Sequence, residues 1–170
     1  MAQAPVANPR AYQIGRSNYP QITARSDGTN TFAAGQFVRI GTGGFLATIA
    51  AEDTTRCIGL TLDPSHASTD APYTMPFGEN HNVLGLQETT FLVNTMTSAR
   101  AVGTGTTSGL TPGSTFGISY FTTTGYASTA GMNVNSTNAF FQYVGPYADD
   151  STDDLNARAI VRVIDTATSV

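Results

Sequence analysis

GQFVRIGTGGFLATIAAEDTTRCIGLTLD, residues 35–63, is the stretch whose reading decides the fold. Gln36-Phe37-Val38-Arg39-Ile40 is a short run rich in β-branched and aromatic residues, the composition of a strand. Gly41-Thr42-Gly43-Gly44 follows, where glycine takes positive φ without steric cost. Phe45-Leu46-Ala47-Thr48-Ile49 then returns, so the two runs read as a β-hairpin. After a small-residue connection carrying Glu52 and Asp53, Arg56 to Leu62 forms a third strand. Pro64 donates no backbone hydrogen bond and disfavours helix at Asp63, which ends that strand.

The 170-residue chain is long enough to bury a real core, and 40% of it is hydrophobic. Only 12% is charged, about half the usual share. All 8 basic residues are Arg, so no lysine is present for Schiff-base chemistry, isopeptide cross-links or phosphate binding in a P-loop. Thr, Ser, Asn and Gly supply the polarity, which suits sheets and turns rather than helices. A net charge of −4 argues against nucleic acid as a partner. With Cys57 the lone cysteine, an intramolecular disulfide and a cysteine zinc site are both excluded. No apolar run approaches the roughly 20 residues of a membrane helix, and no secretory signal is visible. The expectation is a soluble protein made in a cytoplasm, without a membrane partner.

Residues 1–30 differ from the rest. Pro5, Pro9 and Pro20 interrupt them, and Arg10, Arg16 and Arg25 face Asp27 alone, whereas the remaining chain is acidic. They read as an extended N-terminal arm on a β domain of residues 31–170. The arm is either a solvated terminus or a segment that orders on a neighbouring protein, where Arg and Tyr are enriched in contacts. Beyond Pro64, a Pro/Ser loop precedes a strand at residues 83–86. A stronger strand at residues 89–97 carries apolar residues on both faces. Residues 101–111 form a Gly/Thr/Ser-rich link at which the domain could divide.

The second half loosely repeats the first. Pro112 to Ile118 matches Ala34 to Ile40, Gly125-Tyr126-Ala127 matches Gly44-Phe45-Leu46, and Phe140 to Asp149 matches Cys57 to Asp63, with Gly145 on Gly59. Chance similarity among Gly-punctuated strands is the alternative. Ala157 to Asp165 closes the chain as a period-2 strand with Ala159, Val161 and Val163 inward. About ten short strands and no convincing helix predict an all-β fold. It is a small sandwich or partly closed barrel with an extended arm, and two related β halves fit the pattern.

Chemistry is sparse. Cys57 sits in an apolar strand and reads as a small hydrophobe. His66 and His81 read as polar loop residues, with no third ligand beside Glu79 and His81 for a metal. Asp149 to Asp154 is a solvated acidic loop, lacking the Gly and final Glu of an EF-hand, and is at most a weak cation site. Glu52, Asp53, Glu79 and Glu88 are the carboxylates from which a glycosidase pair would have to come. Asn135-Ser136-Thr137 is a glycosylation sequon by pattern and reads as a turn. The residues therefore predict no catalytic, cofactor or metal site.

With these residues in view, the chain resembles the β-rich core of decoration, or cement, proteins of tailed-bacteriophage capsids. The frame that carries the resemblance is Ala33-Ala34-Gly35-Gln36-Phe37-Val38-Arg39-Ile40, then Gly43-Gly44-Phe45-Leu46 and Ile58-Gly59-Leu60, about a sixth of the chain. The resemblance implies a non-enzymatic virion protein without cofactors. Such proteins clamp neighbouring major capsid subunits from outside the shell, often as trimers. The chain is longer than the compact members by its second β half. It implies docking through the arm, by Arg10, Tyr12, Ile14, Arg16, Tyr19 and Arg25. A spike or adhesin-like module binding host glycan is the alternative from another class, and a glycan hydrolase a third.

Overall fold

In a computed structural model, residues 10–11, 20–29, 31–53, 56–65, 80–86, 89–97, 105–121 and 130–164 are described. Their strands are β1 (Arg10–Ala11), β2 (Gln21–Arg25), β3 (Phe37–Ile40), β4 (Leu46–Thr48), β5 (Gly59–Thr61), β6 (Asn80–Gly85), β7 (Phe91–Met96), β8 (Thr115–Tyr120), β9 (Ala130–Asn133), β10 (Phe141–Pro146) and β11 (Arg158–Val163). A single 3₁₀ turn, Thr42–Gly44, joins β3 to β4, with Gly43 and Gly44 at positive φ as the hairpin reading requires. No described helix is long and apolar enough to cross a membrane. The fold is all-β.

Two sheets account for all of these strands. One runs β2-β6-β5-β3-β4, and its two edges touch at a parallel bridge between Ser26 and Leu46. The other runs β1-β7-β11-β10-β8-β9, and a parallel pairing of β7 with β9 closes five of its strands into a barrel. The two five-strand sets have one topology. In each, the first strand pairs with the fifth, the fifth with the fourth, the fourth with the second and the second with the third.

The registers correspond as well. Ile22–Val83 in the first set has its counterpart in Phe91–Val161, Gly59–Gly85 in Phe141–Val163, and Val38–Gly59 in Phe116–Phe141. Ile40–Leu46 answers to Ile118–Met132, and the Ser26–Leu46 bridge to Thr95–Met132. The circuit closes on itself, and a one-residue slip at any pairing would break it. Flanking turns agree too: Gly35 and Gly113, both at positive φ, donate at 2.8 Å to Thr61 O and Tyr143 O respectively. The halves are thus structural repeats. The match of Ala34–Ile40 with Pro112–Ile118 falls in register. That of Cys57–Asp63 with Phe140–Asp149 is four residues out, since Phe141, and not Gly145, stands where Gly59 does. The halves divide between β6 and β7, ahead of residues 101–111.

Burial shows how the repeats fit together. The first set encloses a small cluster of Phe32, Val38, Leu46 and Val83. Alternate residues Phe37, Leu60 and Leu84 point out of it, and they belong to the cluster that fills the second set, with Phe91, Ile118, Met132, Phe141, Tyr143 and Val161. Phe91 and Phe141 open β7 and β10 and Val163 ends β11, so they line one end of the second barrel, and the outer face of the first covers it. Phe37 meets Phe91, Phe140 and Phe141 edge to face at ring-centroid distances of 5.2, 5.7 and 5.4 Å. At the positions equivalent to Phe37, Leu60 and Leu84, the second set carries Thr115, Gln142 and Arg162, of which Thr115 and Arg162 are exposed. One repeat has an apolar outer face and the other a polar one.

Part of the stretch read as an arm belongs to the body. β2 is the strand beside β6, and β1 pairs with Leu92 and Phe91 of β7, on the length of edge that β9 leaves open. β7 is buried along its whole length, as its apolar residues on both faces predict.

The repeat relation makes a sharp prediction. Phe37→Ala should destabilise the protein by about 3–5 kcal/mol in denaturant titration, whereas Thr115→Ala at the equivalent site should stay within about 0.5 kcal/mol. Equal effects would contradict the seam described here.

Candidate functional site

Side chains with chemical potential fall into four groups. Cys57, just before β5, is 1% exposed and its Sγ lies 3.6 Å from Gly59 O, which accepts its hydrogen bond. Burial pushes its thiol up to about 12, outweighing the backbone hydrogen bonds that lower it. Arg56 beside it is exposed, and both precede β5, which begins at Gly59 and not at Arg56 as expected. A protonated thiol inside the seam is no nucleophile.

His81 lies within β6 and is buried, which corrects its reading as a polar loop residue. Its Nε2 is 3.2 Å from Ser26 Oγ and its Nδ1 is 3.6 Å from Asp63 Oδ1, while its ring meets Phe32 edge-on at 4.8 Å. Ser, His and Asp in that order are the parts of a hydrolytic triad, but here their exposure is inverted. Ser26 is fully buried at the Ser26–Leu46 bridge, and the Asp63 side chain is 41% exposed. A working triad needs its serine open to substrate and its carboxylate enclosed. Ser26 and His81 are enclosed in the first barrel, so the serine is closed to substrate, and Asp63 meets them from its surface.

Glu52 is the one described acidic residue in the left-handed region, at φ 60°. It leaves the first sheet and enters the second: its N–H donates to Ile118 O at 2.8 Å. Its carboxylate accepts from Asn133 Nδ2 at 2.7 Å, from Asn138 Nδ2 at 3.3 Å and from Ser136 Oγ. Gly117 makes room for it, since a Cβ there would stand 2.6 Å from Glu52 Oε2. Beside it, Tyr120 OH donates to Ile49 O at 2.6 Å, and burial raises that hydroxyl's pKa, with the charges of Cys57 and Asp53 adding to the rise. Both Glu52 oxygens are therefore engaged across the seam, so Glu52 is a peg between repeats and not half of a glycosidase pair. Glu79, Glu88 and His66 lie outside the described residues.

In the acidic loop, the Asp150 side chain is buried and pairs with Arg158, whose Nε donates to it at 2.9 Å and whose backbone N–H donates at 2.7 Å. The Arg158 guanidinium also sits 4.2 Å from the Tyr147 ring centroid, and the Asp150 hydrogen bond raises its pKa. The loop is thereby fastened to β11. Among the described residues no group of three or more His, Cys, Asp or Glu could hold a metal ion.

Of the arm residues, Arg10 lies in β1 on the second sheet and Arg25 ends β2 on the first, where it is exposed. Tyr12, Ile14, Arg16 and Tyr19 lie outside the described residues. Neither the Glu52 peg nor the buried histidine is marked by a motif. The signals available were a carboxylate in a small-residue loop and the alternation of His81, Val83 and Gly85.

Glu52→Ala should cost about 2 kcal/mol, because it leaves Asn133 and Ser136 without their acceptor; denaturant titration measures it. Cys57 should be silent to thiol reagents in the folded protein and react on unfolding. Its folded pKa lies above the unfolded value near 9, so the folded state holds the proton longer. The contribution of Cys57 to stability should be constant below about pH 9 and be lost as pH rises from there toward 12, by the linkage of proton binding to folding. The chain matches no family model, no curated protein and no solved structure.

Proposed function

We propose that this protein is a structural virion component, a decoration or cement protein that binds the outside of a tailed-phage capsid and bridges its major capsid subunits. The observation that supports this reading best is the inward use of its reactive groups. Cys57, the Ser26–His81–Asp63 trio, Glu52 and the Asp150–Arg158 pair all serve to fill a barrel, join the repeats or fasten a loop. What faces outward on the second repeat is polar and sparsely charged, with Thr115 and half-buried Gln142 beside Arg162. A body pinned at its centre, whose described reactive groups are bonded to one another or to the backbone, suits recognition by shape and contact.

The arm supplies the charge. Arg10 and Arg25 belong to strands on different sheets, so a basic segment spans both repeats. Docking runs through Arg10, Tyr12, Ile14, Arg16, Tyr19 and Arg25, and a contact of standard size buries roughly 800 Å² per partner. Three copies around a local axis would multiply a modest affinity by holding the second and third contacts at high effective concentration. The protein is made in the host cytoplasm, acts on the shell's outer surface and uses no cofactor.

Purified protein should add stoichiometric density to the outside of undecorated shells in cryo-EM. Replacing Arg10, Arg16 and Arg25 together by Ala should weaken shell binding at least about tenfold at low salt, and by less at high salt, where their attraction is screened. Absence of shell binding by the intact protein would refute the reading. Undiminished binding by the triple variant would remove the arm from it. Deleting residues 1–30 is a poorer test, because it takes away β2.

A further inference from the structure

The repeat relation exposes a difference between the two barrels. In the second, the edge of β7 at Phe91–Leu92 is covered by β1. The equivalent residues of β2 are Ile22 and Thr23, and among the described residues no strand pairs with their outer edge. Gly85 N donates to Pro20 O at 2.7 Å, so alternation turns the polar groups of Ile22 and Ala24 toward β6 and those of Gln21 and Thr23 outward. The Ser26–Leu46 bridge limits the open edge to its first few residues. Ile22 is 43% exposed there. Open edges are ordinarily guarded by lysine, inward charge, a bulge or a covering segment. Among the described residues, this one has Pro20 before it and Arg25 after it.

We propose that the β2 edge is a docking site for the same edge of a second copy of this chain. The two strands run antiparallel about a twofold axis centred on Ile22. The open stretch Gln21-Ile22-Thr23 is self-complementary in that arrangement. Gln21 of each copy lies opposite Thr23 of the other, and their outward N–H and C=O groups form hydrogen-bonded pairs. Ile22 faces its own copy in a non-hydrogen-bonded pair, where side chains approach most closely. No like charges are opposed, since Arg25 lies beyond the paired stretch. The contact is isologous, as a closed dimer requires. It is also short, so the dimer forms at high concentration or where copies are held close together. The inference does not depend on the proposed capsid role.

The test is cross-linking at defined register. Antiparallel non-hydrogen-bonded partners have Cα atoms about 4.5 Å apart, within the span a disulfide bridges. The full-length Ile22→Cys variant should form disulfide-linked dimers under mild oxidation well ahead of Thr137→Cys, which places a thiol on the exposed connection between β9 and β10. Buried Cys57 does not compete. Adding Thr23→Pro removes an outward N–H while leaving the β2–β6 hydrogen bonds intact, and it should abolish the advantage of Ile22→Cys. Dimers of Ile22→Cys no faster than those of Thr137→Cys, or no slower with Thr23→Pro, would overturn the proposal. If the proline variant fails to fold, hydrogen exchange of the unmodified protein decides. The Thr23 amide should slow about tenfold once roughly nine-tenths of the chains are paired. Exchange independent of concentration would equally overturn it, and protection appearing only with a foreign extended peptide would assign the edge to that partner instead.

Discussion

The packing of Phe37 against Phe91, Phe140 and Phe141 is the contact on which the rest of the structure depends. Strands of three to six residues can enclose very little. The first barrel's own cluster is Phe32, Val38, Leu46 and Val83 with two half-buried neighbours, too small a core to offset the entropy of ordering a domain. It is stable only because its outer face is apolar as well and lies in the larger core of the second barrel. That arrangement turns two marginal units into one cooperative body. It also explains the polar groups around the seam: Glu52 and Tyr120 cross it with directed hydrogen bonds, which set the angle that apolar packing alone leaves free.

A closed sheet makes register a global property. If one pair slips, every side chain on that strand changes face, and the error must be absorbed elsewhere around the circuit. Two circuits with the same five pairings in the same register therefore share a constraint much more demanding than their residue identities. Within it, side chains have diverged freely. Gly59 and Gly85 face each other where Phe141 and Val163 do, and the glycine is obligatory at 59, because a Cβ there would collide with Leu84 and Val83. The first barrel is narrow at that end and the second wide, which is why one covers the other.

This divergence also marks the limits of the sequence. The hairpin in residues 35–63, the double-sided burial of β7 and the alternation of β11 were legible, because each leaves a local periodic signal. The repeat was legible at β8, where a positive-φ glycine precedes a strand in both halves. It was misplaced at β10, where Gly145 in a bulged strand imitated Gly59, whose glycine answers to a close approach of backbone. β2 was read as arm because an edge strand with exposed side chains on both faces shows no alternation, and β9 is four residues of ordinary composition. Glu52 could not be read as a peg. Its partners Asn133, Ser136 and Asn138 lie some eighty residues away, and the glycine that admits it, Gly117, resembles any other in a strand.

The composition acquires a reason in this setting. A surface without lysine, furnished by Thr, Ser, Asn and Gly, loses little side-chain entropy when it is covered, whereas long charged side chains lose much. Such a surface can lie flat on another protein through many individually weak hydrogen bonds, with little dependence on salt. The arginines near the N-terminus act differently, through charge that reaches about a Debye length and is screened by ions. On the proposed reading, one chain thus carries two docking chemistries. A basic segment crosses both repeats and finds the partner, and a rigid, sparsely charged face, held in shape by Phe37 at the seam, fits it once found.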